Sequence, residues 1–404
     1  MTVHDEYRPG GGGDLRRLWR VIYDHAVLAL TGLPLQLITG LLAVAAFVAT
    51  MWLWPKLGGK GVKPVLGRLG AFFGTQVLVL VAMALVANSY FGFYTSWTDL
   101  LGTAGGPGKV VDHQPSNSLQ VTGEQKFYSS QGSAEDRSGV IQQVSVTGAA
   151  SGLSNDGYVY LPPQYFQPAY ANQKFPMALV LSGYPGTAEK LISLMQYPAS
   201  TLKAINAKQL PPMVLVMMRP SPIASRDTEC MDVPHGPQVE TYFTEDLPKA
   251  LAAGYRIAPQ ASAHAVMGDS TGGYCALKFA LRKPDAYHAA IALSADYSVS
   301  NDPTTGDLFG GSAQLKQEND LLWRLRNTPA QPVSLLLATS PNEDNYQATQ
   351  EMVNSFKAPT KLSTITLNSG GHNFHTWGRE IPPALEWLGK QLSVPGLTGA
   401  QGAT

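Results

Sequence analysis

The chain has 404 residues, room for two or three folding units at about 150 residues each. Its 29 basic and 29 acidic side chains cancel and charged residues are only 14% of the chain, against about 25% in an average soluble domain. That balance excludes nucleic-acid binding through a basic surface and, with 44% apolar residues, excludes disorder.

After an N-terminal segment (residues 1–34), residues 35–54 read LQLITGLLAVAAFVATMWLW without an ionisable side chain. At about 1.5 Å per residue this run spans the roughly 30 Å hydrocarbon core of a bilayer. A second uncharged run, 69–94, closes on Tyr90, Phe91, Phe93 and Tyr94, with Trp97 just beyond, a cluster suited to a headgroup interface. Together they predict a transmembrane hairpin over 35–94, with spans at 35–54 and 69–92. Two buried helices of a soluble protein are the weaker reading, because core helices seldom run so far without a charge. A cleaved signal peptide fits worse still, since the first run starts past residue 30 and ends in Trp-Leu-Trp. The connector 55–68 carries Lys56, Lys60, Lys63 and Arg68 and no acid. The positive-inside rule places it in the cytoplasm and the rest of the chain outside, although Arg16, Arg17 and Arg20 pull the other way. The expected partner is therefore the lipid bilayer, and the expected location the cytoplasmic membrane, multi-pass.

Residues 95–125 are rich in Gly, Ser, Thr and Asn and read as a linker, and 394–404 as a flexible tail. Between them, 126–393 form the large domain. Short apolar runs at 157–161, 177–181, 213–217, 263–267, 289–293, 333–338 and 362–367 have the character of strands buried on both faces. Helical spacing appears at 188–195, 242–253, 273–282, 346–356 and 381–392. Such alternation specifies an α/β fold with a mainly parallel sheet, whose ligands bind at the carboxyl ends of the strands.

Gly268-Asp269-Ser270-Thr271-Gly272 is a G-x-S-x-G match lying directly after one strand run and opening a helix, the setting of a nucleophile elbow. Ser270 would project from the turn, and the Thr271 amide at the helix start would face a developing oxyanion. A serine hydroxyl needs a base to take its proton. His372, in Ser369-Gly370-Gly371-His372 after the last strand run, fills that place, with His375 as competitor. No third ligand at a recognisable spacing turns the histidine pair into a metal site, and no motif implies a cofactor. The orienting acid is expected after the run 333–338, in Pro341-Asn342-Glu343-Asp344. Asp344 is the choice and Glu343 the runner-up, since spacing does not separate neighbours in a loop. A second oxyanion donor, the Tyr184 N–H, is expected from Ser182-Gly183-Tyr184-Pro185-Gly186. If the large domain is extracytoplasmic, the two cysteines, Cys230 and Cys275, are candidates for a disulfide; two buried free thiols are the alternative.

These residues carry a resemblance. The stretch 139–392, with YVYLPPQYF, SGYPG, GDSTGGYCA and SGGHNFHTW, resembles the esterase D and mycolyltransferase (antigen 85) branch of the α/β-hydrolases. The resemblance implies Ser270 as nucleophile, His372 as base, and the Tyr184 and Thr271 amides as oxyanion donors. The hairpin followed by FGFYTSWTDLLG resembles membrane-anchored esterases of actinobacteria; secreted mycolyltransferases lack it. The expected function is a serine ester hydrolase or acyltransferase acting on lipid or glycolipid esters of the cell envelope. The alternative is a catalytically silent hydrolase fold serving as a membrane-tethered binding subunit.

Overall fold

A computed structural model of the chain describes residues 30, 32–59, 61–91, 97–101, 118–129, 132–223, 226–300, 304–394 and 396–397. The N-terminal segment before residue 30, residues 102–117 of the expected linker and the tail beyond residue 397 lie outside the described residues. The chain divides into two compact units, Met1–Val111 and Asp112–Thr404.

The first unit holds α1 (Leu33–Leu53) and α2 (Val62–Phe91). Both are long and apolar enough to cross a membrane, with mean hydropathy of 1.9 and 2.2 over their most apolar stretches. They meet through a 2.9 Å hydrogen bond between the Thr50 and Thr75 hydroxyls, while Leu41, Phe47, Trp52, Phe73 and Leu80 point outward. The second helix begins at Val62 rather than at residue 69. Pro64 sits in its first turn, where the fixed proline φ suits a helix and the missing N–H costs nothing. Lys63 and Arg68 therefore belong to the helix, and the basic connector contracts to a short turn in which the Lys56 ammonium lies 3.1 Å from the Trp52 ring centre.

The second unit is built on a nine-stranded sheet: β1 (Leu119–Lys126), β2 (Val140–Thr147), β3 (Ser154–Leu161), β4 (Met177–Leu181), β5 (Val214–Met218), β6 (His264–Asp269), β7 (Ala289–Leu293), β8 (Ser334–Thr339) and β9 (Lys361–Thr366). Their spatial order is β1-β2-β3-β5-β4-β6-β7-β8-β9. The first three strands and the β3–β5 pair are antiparallel, and every pair from β5 through β9 is parallel. This is the α/β fold that the apolar runs anticipated.

Side chains of β4 alternate between two cores. Leu179 and Leu181 join the core covered by α4 (Leu247–Gly254), α5 (Thr271–Arg282) and α6 (Tyr346–Ser355). Ala178 and Val180 join the core beneath Tyr197 and Ile205 of α3 (Tyr197–Asn206) and Ile381, Leu385 and Leu388 of α7 (Phe374–Gly389). Each fully buried Leu, Ile or Phe there contributes about 1.5–3 kcal/mol. With helices on both faces, the central strands contact no water, which is why they read as unbroken apolar runs.

Two boundaries differ from expectation. The sheet begins at Leu119, inside the stretch expected to be linker, because LQVTGEQK forms a largely exposed edge strand with no apolar run to reveal it. The last helix begins at Phe374 instead of 381 and runs through Pro382 and Pro383. The Asn373 side chain caps it by accepting the Thr376 N–H at 3.1 Å.

Candidate active site

Where β6 ends, the chain turns sharply at Ser270, whose φ of 52° and ψ of −125° lie in a sparsely populated region costing about 1–3 kcal/mol. Glycines make the turn feasible. A Cβ on Gly268 would come within 2.5 Å of the Gly272 backbone and the Leu181 carbonyl oxygen, and one on Gly272 would collide with the same carbonyl. The turn is fixed by the Ser270 N–H donating to Leu293 O at 3.0 Å and by Ser270 O accepting from Tyr274 N at 3.0 Å.

His372 reaches this hydroxyl from the loop between β9 and α7, with Nε2 2.9 Å from Ser270 Oγ. The imidazole is exposed on one side and meets the buried Trp377 edge-on, ring centres 5.1 Å apart. Its loop is held at several points. Ser340 Oγ, just beyond β8, donates to Gly370 O at 2.9 Å, Arg379 Nη2 donates to Ser369 O at 2.6 Å, and the Gly371 N–H donates to Thr376 Oγ1 at 3.0 Å. His375 falls in the first turn of α7 and is exposed. Among the described residues, no group of three or more His, Cys, Asp or Glu side chains is arranged to hold a metal ion.

The two acids after β8 part company. Asp344 is exposed and lines a cavity of about 460 Å³ together with Asp296, Ser298, Ser300, Asp320 and Asn345. Glu343 is buried, and among the described residues neither of its carboxyl oxygens finds a hydrogen-bond partner. Among the described residues neither acid is hydrogen-bonded to His372. A third carboxylate, Asp296, was not expected. Crowding by protein atoms pushes its carboxyl up, and the charge of His372 draws it back down. Its signal in the sequence was its place directly after β7, at the same carboxyl rim as Ser270.

The loop after β4 passes against the elbow. A Cβ on Gly183 would lie 3.0 Å from the Ser270 Cβ, and Tyr184 follows, half-buried. The loop is tied by the Gly183 N–H donating to Asp269 Oδ2 at 2.9 Å, by Ser182 Oγ donating to Gly186 O at 3.1 Å and by the Gly186 N–H donating to Gly183 O at 2.7 Å. Thr271 opens α5, and its hydroxyl donates to Asp227 Oδ2 at 3.3 Å.

The segment carrying Asp227 is fastened to the same helix. Cys230 and Cys275 are joined in a disulfide, and Lys278 Nζ donates to Glu229 O at 2.5 Å. Burial lowers the Lys278 ammonium and raises the Glu229 carboxyl, whose Oε1 accepts the Ser300 N–H at 3.0 Å. One wall beside the elbow is thereby cross-linked to the helix that Ser270 caps.

A profile of the family described as "Putative esterase" matches residues 152–388. An uncharacterized protein of Corynebacterium glutamicum is 25% identical over 274 residues, which cover 63% of this chain and 62% of the relative; the chain thus spans less than two thirds of that relative's length. A ferulic acid esterase structure superposes with a TM-score of 0.54 at 17% identity, over 62% of this chain and 98% of that one. An S-formylglutathione hydrolase of Agrobacterium tumefaciens gives 0.56 at 16% identity, over 68% and 99%. At those identities the two structures show a shared fold. The family match runs from β3 into α7 and encloses both Ser270 and His372, and on that match the chain belongs to the esterase family of α/β-hydrolases.

Proposed function

We propose that this esterase is a membrane-anchored serine acyl-ester hydrolase or acyltransferase acting on lipid or glycolipid esters of the cell envelope. The observation that carries the chemistry is the 2.9 Å contact between Ser270 Oγ and His372 Nε2, which is within proton-transfer reach. Ser270 Oγ attacks the ester carbonyl carbon while His372 takes its proton. The oxyanion that forms is met by the Tyr184 and Thr271 amides. As the tetrahedral species collapses, the ester C–O bond breaks, the leaving alcohol receives the proton from His372, and the acyl group stays on Ser270. Water or a sugar hydroxyl, activated by the same imidazole, then releases it.

An orienting carboxylate holds one imidazole tautomer and stabilises the cation. Burial favours Glu343 over Asp344 for this role: Glu343 is shielded from water and has two unsatisfied oxygens, whereas Asp344 is exposed. The envelope setting draws support from α1 and α2, whose outward faces are apolar, and from Lys56, Lys60, Lys63 and Arg68 between and at the start of the helices, a charge pattern that favours a cytoplasmic turn and an extracytoplasmic large unit. The disulfide accords with an oxidising compartment.

Labelling of the full-length protein with a fluorophosphonate, alongside burst kinetics on p-nitrophenyl butyrate, tests the reading. We expect one labelled serine and a burst, both lost in Ser270→Ala. Turnover that survives in that variant overturns the nucleophile assignment. A wild-type protein that neither labels nor turns over the ester is the silent binding subunit instead. Lipid and glycolipid profiles of cells expressing wild type and Ser270→Ala then identify the ester class.

A further inference from the structure

Asp269 takes no part in the steps above, yet it is an acid placed directly before the nucleophile and 1% exposed. Its Oδ2 accepts the Gly183 N–H at 2.9 Å, and Gly183 immediately precedes the amide assigned to the oxyanion. Contact is close on both sides of that bond, because a Cβ on Gly183 would lie 3.0 Å from Asp269 Oδ2 and from the Ser270 Cβ alike. Hydrogen bonds of Ser182 and Gly186 hold the loop to β5 and to itself, with the Ser182 N–H donating to Met218 O at 3.1 Å. The bond to Asp269 ties it to the elbow.

We propose that Asp269 is a positioning residue that registers the oxyanion loop against the nucleophile turn, so that the Tyr184 and Thr271 amides converge on one point. This rests on the serine-esterase reading. The fit is steric and electrostatic together. A charged acceptor makes a bond roughly twice as strong as a neutral one, and a buried Gly183 N–H without it would be left unpaired.

The surroundings explain why the charge is in play near neutral pH. Burial pushes the Asp269 carboxyl up to about 7, and the Gly183 N–H holds it back from rising further. Facing it are Tyr197 on the neighbouring helix and Glu380 on α7, each of which registers the charge of Asp269, with Glu343 behind Glu380. Among the described residues, Asp269 Oδ1, the Tyr197 hydroxyl and both carboxyl oxygens of Glu343 and Glu380 find no hydrogen-bond partner. Arg379 draws the Glu380 carboxyl back down, while among the described residues Asp269 itself is stabilised by backbone donors, the Gly183 N–H first and its own N–H second. As pH falls through the Asp269 titration the acceptor becomes neutral and its grip on the loop weakens.

The test compares full-length wild type, Asp269→Ala and Asp269→Asn on p-nitrophenyl butyrate. We expect Asp269→Ala to lose about ten- to a hundredfold in kcat while KM moves less than about twofold, the split that marks lost transition-state stabilisation. Asparagine keeps a carbonyl acceptor and should stay within about fivefold of wild type in kcat. Its acid limb should lack the component expected in wild type from Asp269 near pH 7. Should the alanine variant fail to fold, the asparagine profile decides: an acid limb that superposes on wild type overturns the proposal. So does an Asp269→Ala kcat within about twofold of wild type, or equal losses in both variants with KM rising in parallel. If wild type itself neither turns over the ester nor labels at Ser270, the esterase reading fails. If wild type is active and labelled while Asp269→Ala is unimpaired, only the positioning role fails.

Discussion

Burial separates the carboxylates around His372 more sharply than distance along the chain. A group that orients an imidazole works best where water does not compete for its oxygens, and Glu343 meets that condition while its neighbour Asp344 faces solvent. Glu343→Gln should therefore cost about 10²–10⁴-fold in kcat, the range associated with a misoriented imidazole. Asp344→Asn should stay within about threefold, as an exposed charge change normally does. Parallel steady-state kinetics on one aryl ester check the pair, and a reversed ranking would return the role to Asp344. Ser270 and His372 could be read from the chain because each directly follows an apolar run and is flanked by glycines that a tight turn requires. The acids could not be ranked, since adjacent loop residues share one spacing and only tertiary packing decides which is covered. Asp296 lies after β7, one strand before the loop after β8 in which chain order places the orienting acid.

At the level of elements, α7 does more than present His372 at its entrance. Its second turn faces inward with Glu380 fully buried, and burial, aided by Glu343, raises that carboxyl to about 8. An unfolded glutamate titrates near about 4.3, so the folded chain binds this proton more tightly than the unfolded one. The contribution to stability is complete below about pH 4 and is lost as pH rises towards 8. Glu380→Gln removes that loss. Thermal unfolding should find the variant close to wild type at about pH 5 and several degrees more stable at about pH 9. A variant equally destabilised at both values would instead assign Glu380 a role in packing alone. The central strands were legible for the reason that makes them stable, burial on both faces, whereas β1 and β2 carry polar residues at the sheet margin and matched no run. The helix Tyr197–Asn206 also escaped, because Pro198 near its start imitates a loop until its place in the first turn is known.

For the molecule as a whole, the two units differ in the solvent their surfaces suit. Leu37, Leu41, Phe47, Trp52, Phe73 and Leu80 are exposed on the first unit, far more apolar surface than a water-soluble unit leaves uncovered. The full-length protein should stay with membranes through alkaline carbonate washing and require detergent for release. Recovery in the carbonate supernatant would remove the anchoring role from α1 and α2. Protease added to intact spheroplasts should degrade the large unit if the basic turn is cytoplasmic, and should spare it if the turn lies outside.

The open side of His372 has a bearing on selectivity. On the proposed mechanism the imidazole that activates the incoming group is reachable from bulk solvent, so an acylated Ser270 would stand in a race between water and any rival alcohol. A rival wins only by residence, lodging beside the imidazole long enough to keep solvent out. Discrimination would then rest in the deacylating half of the cycle.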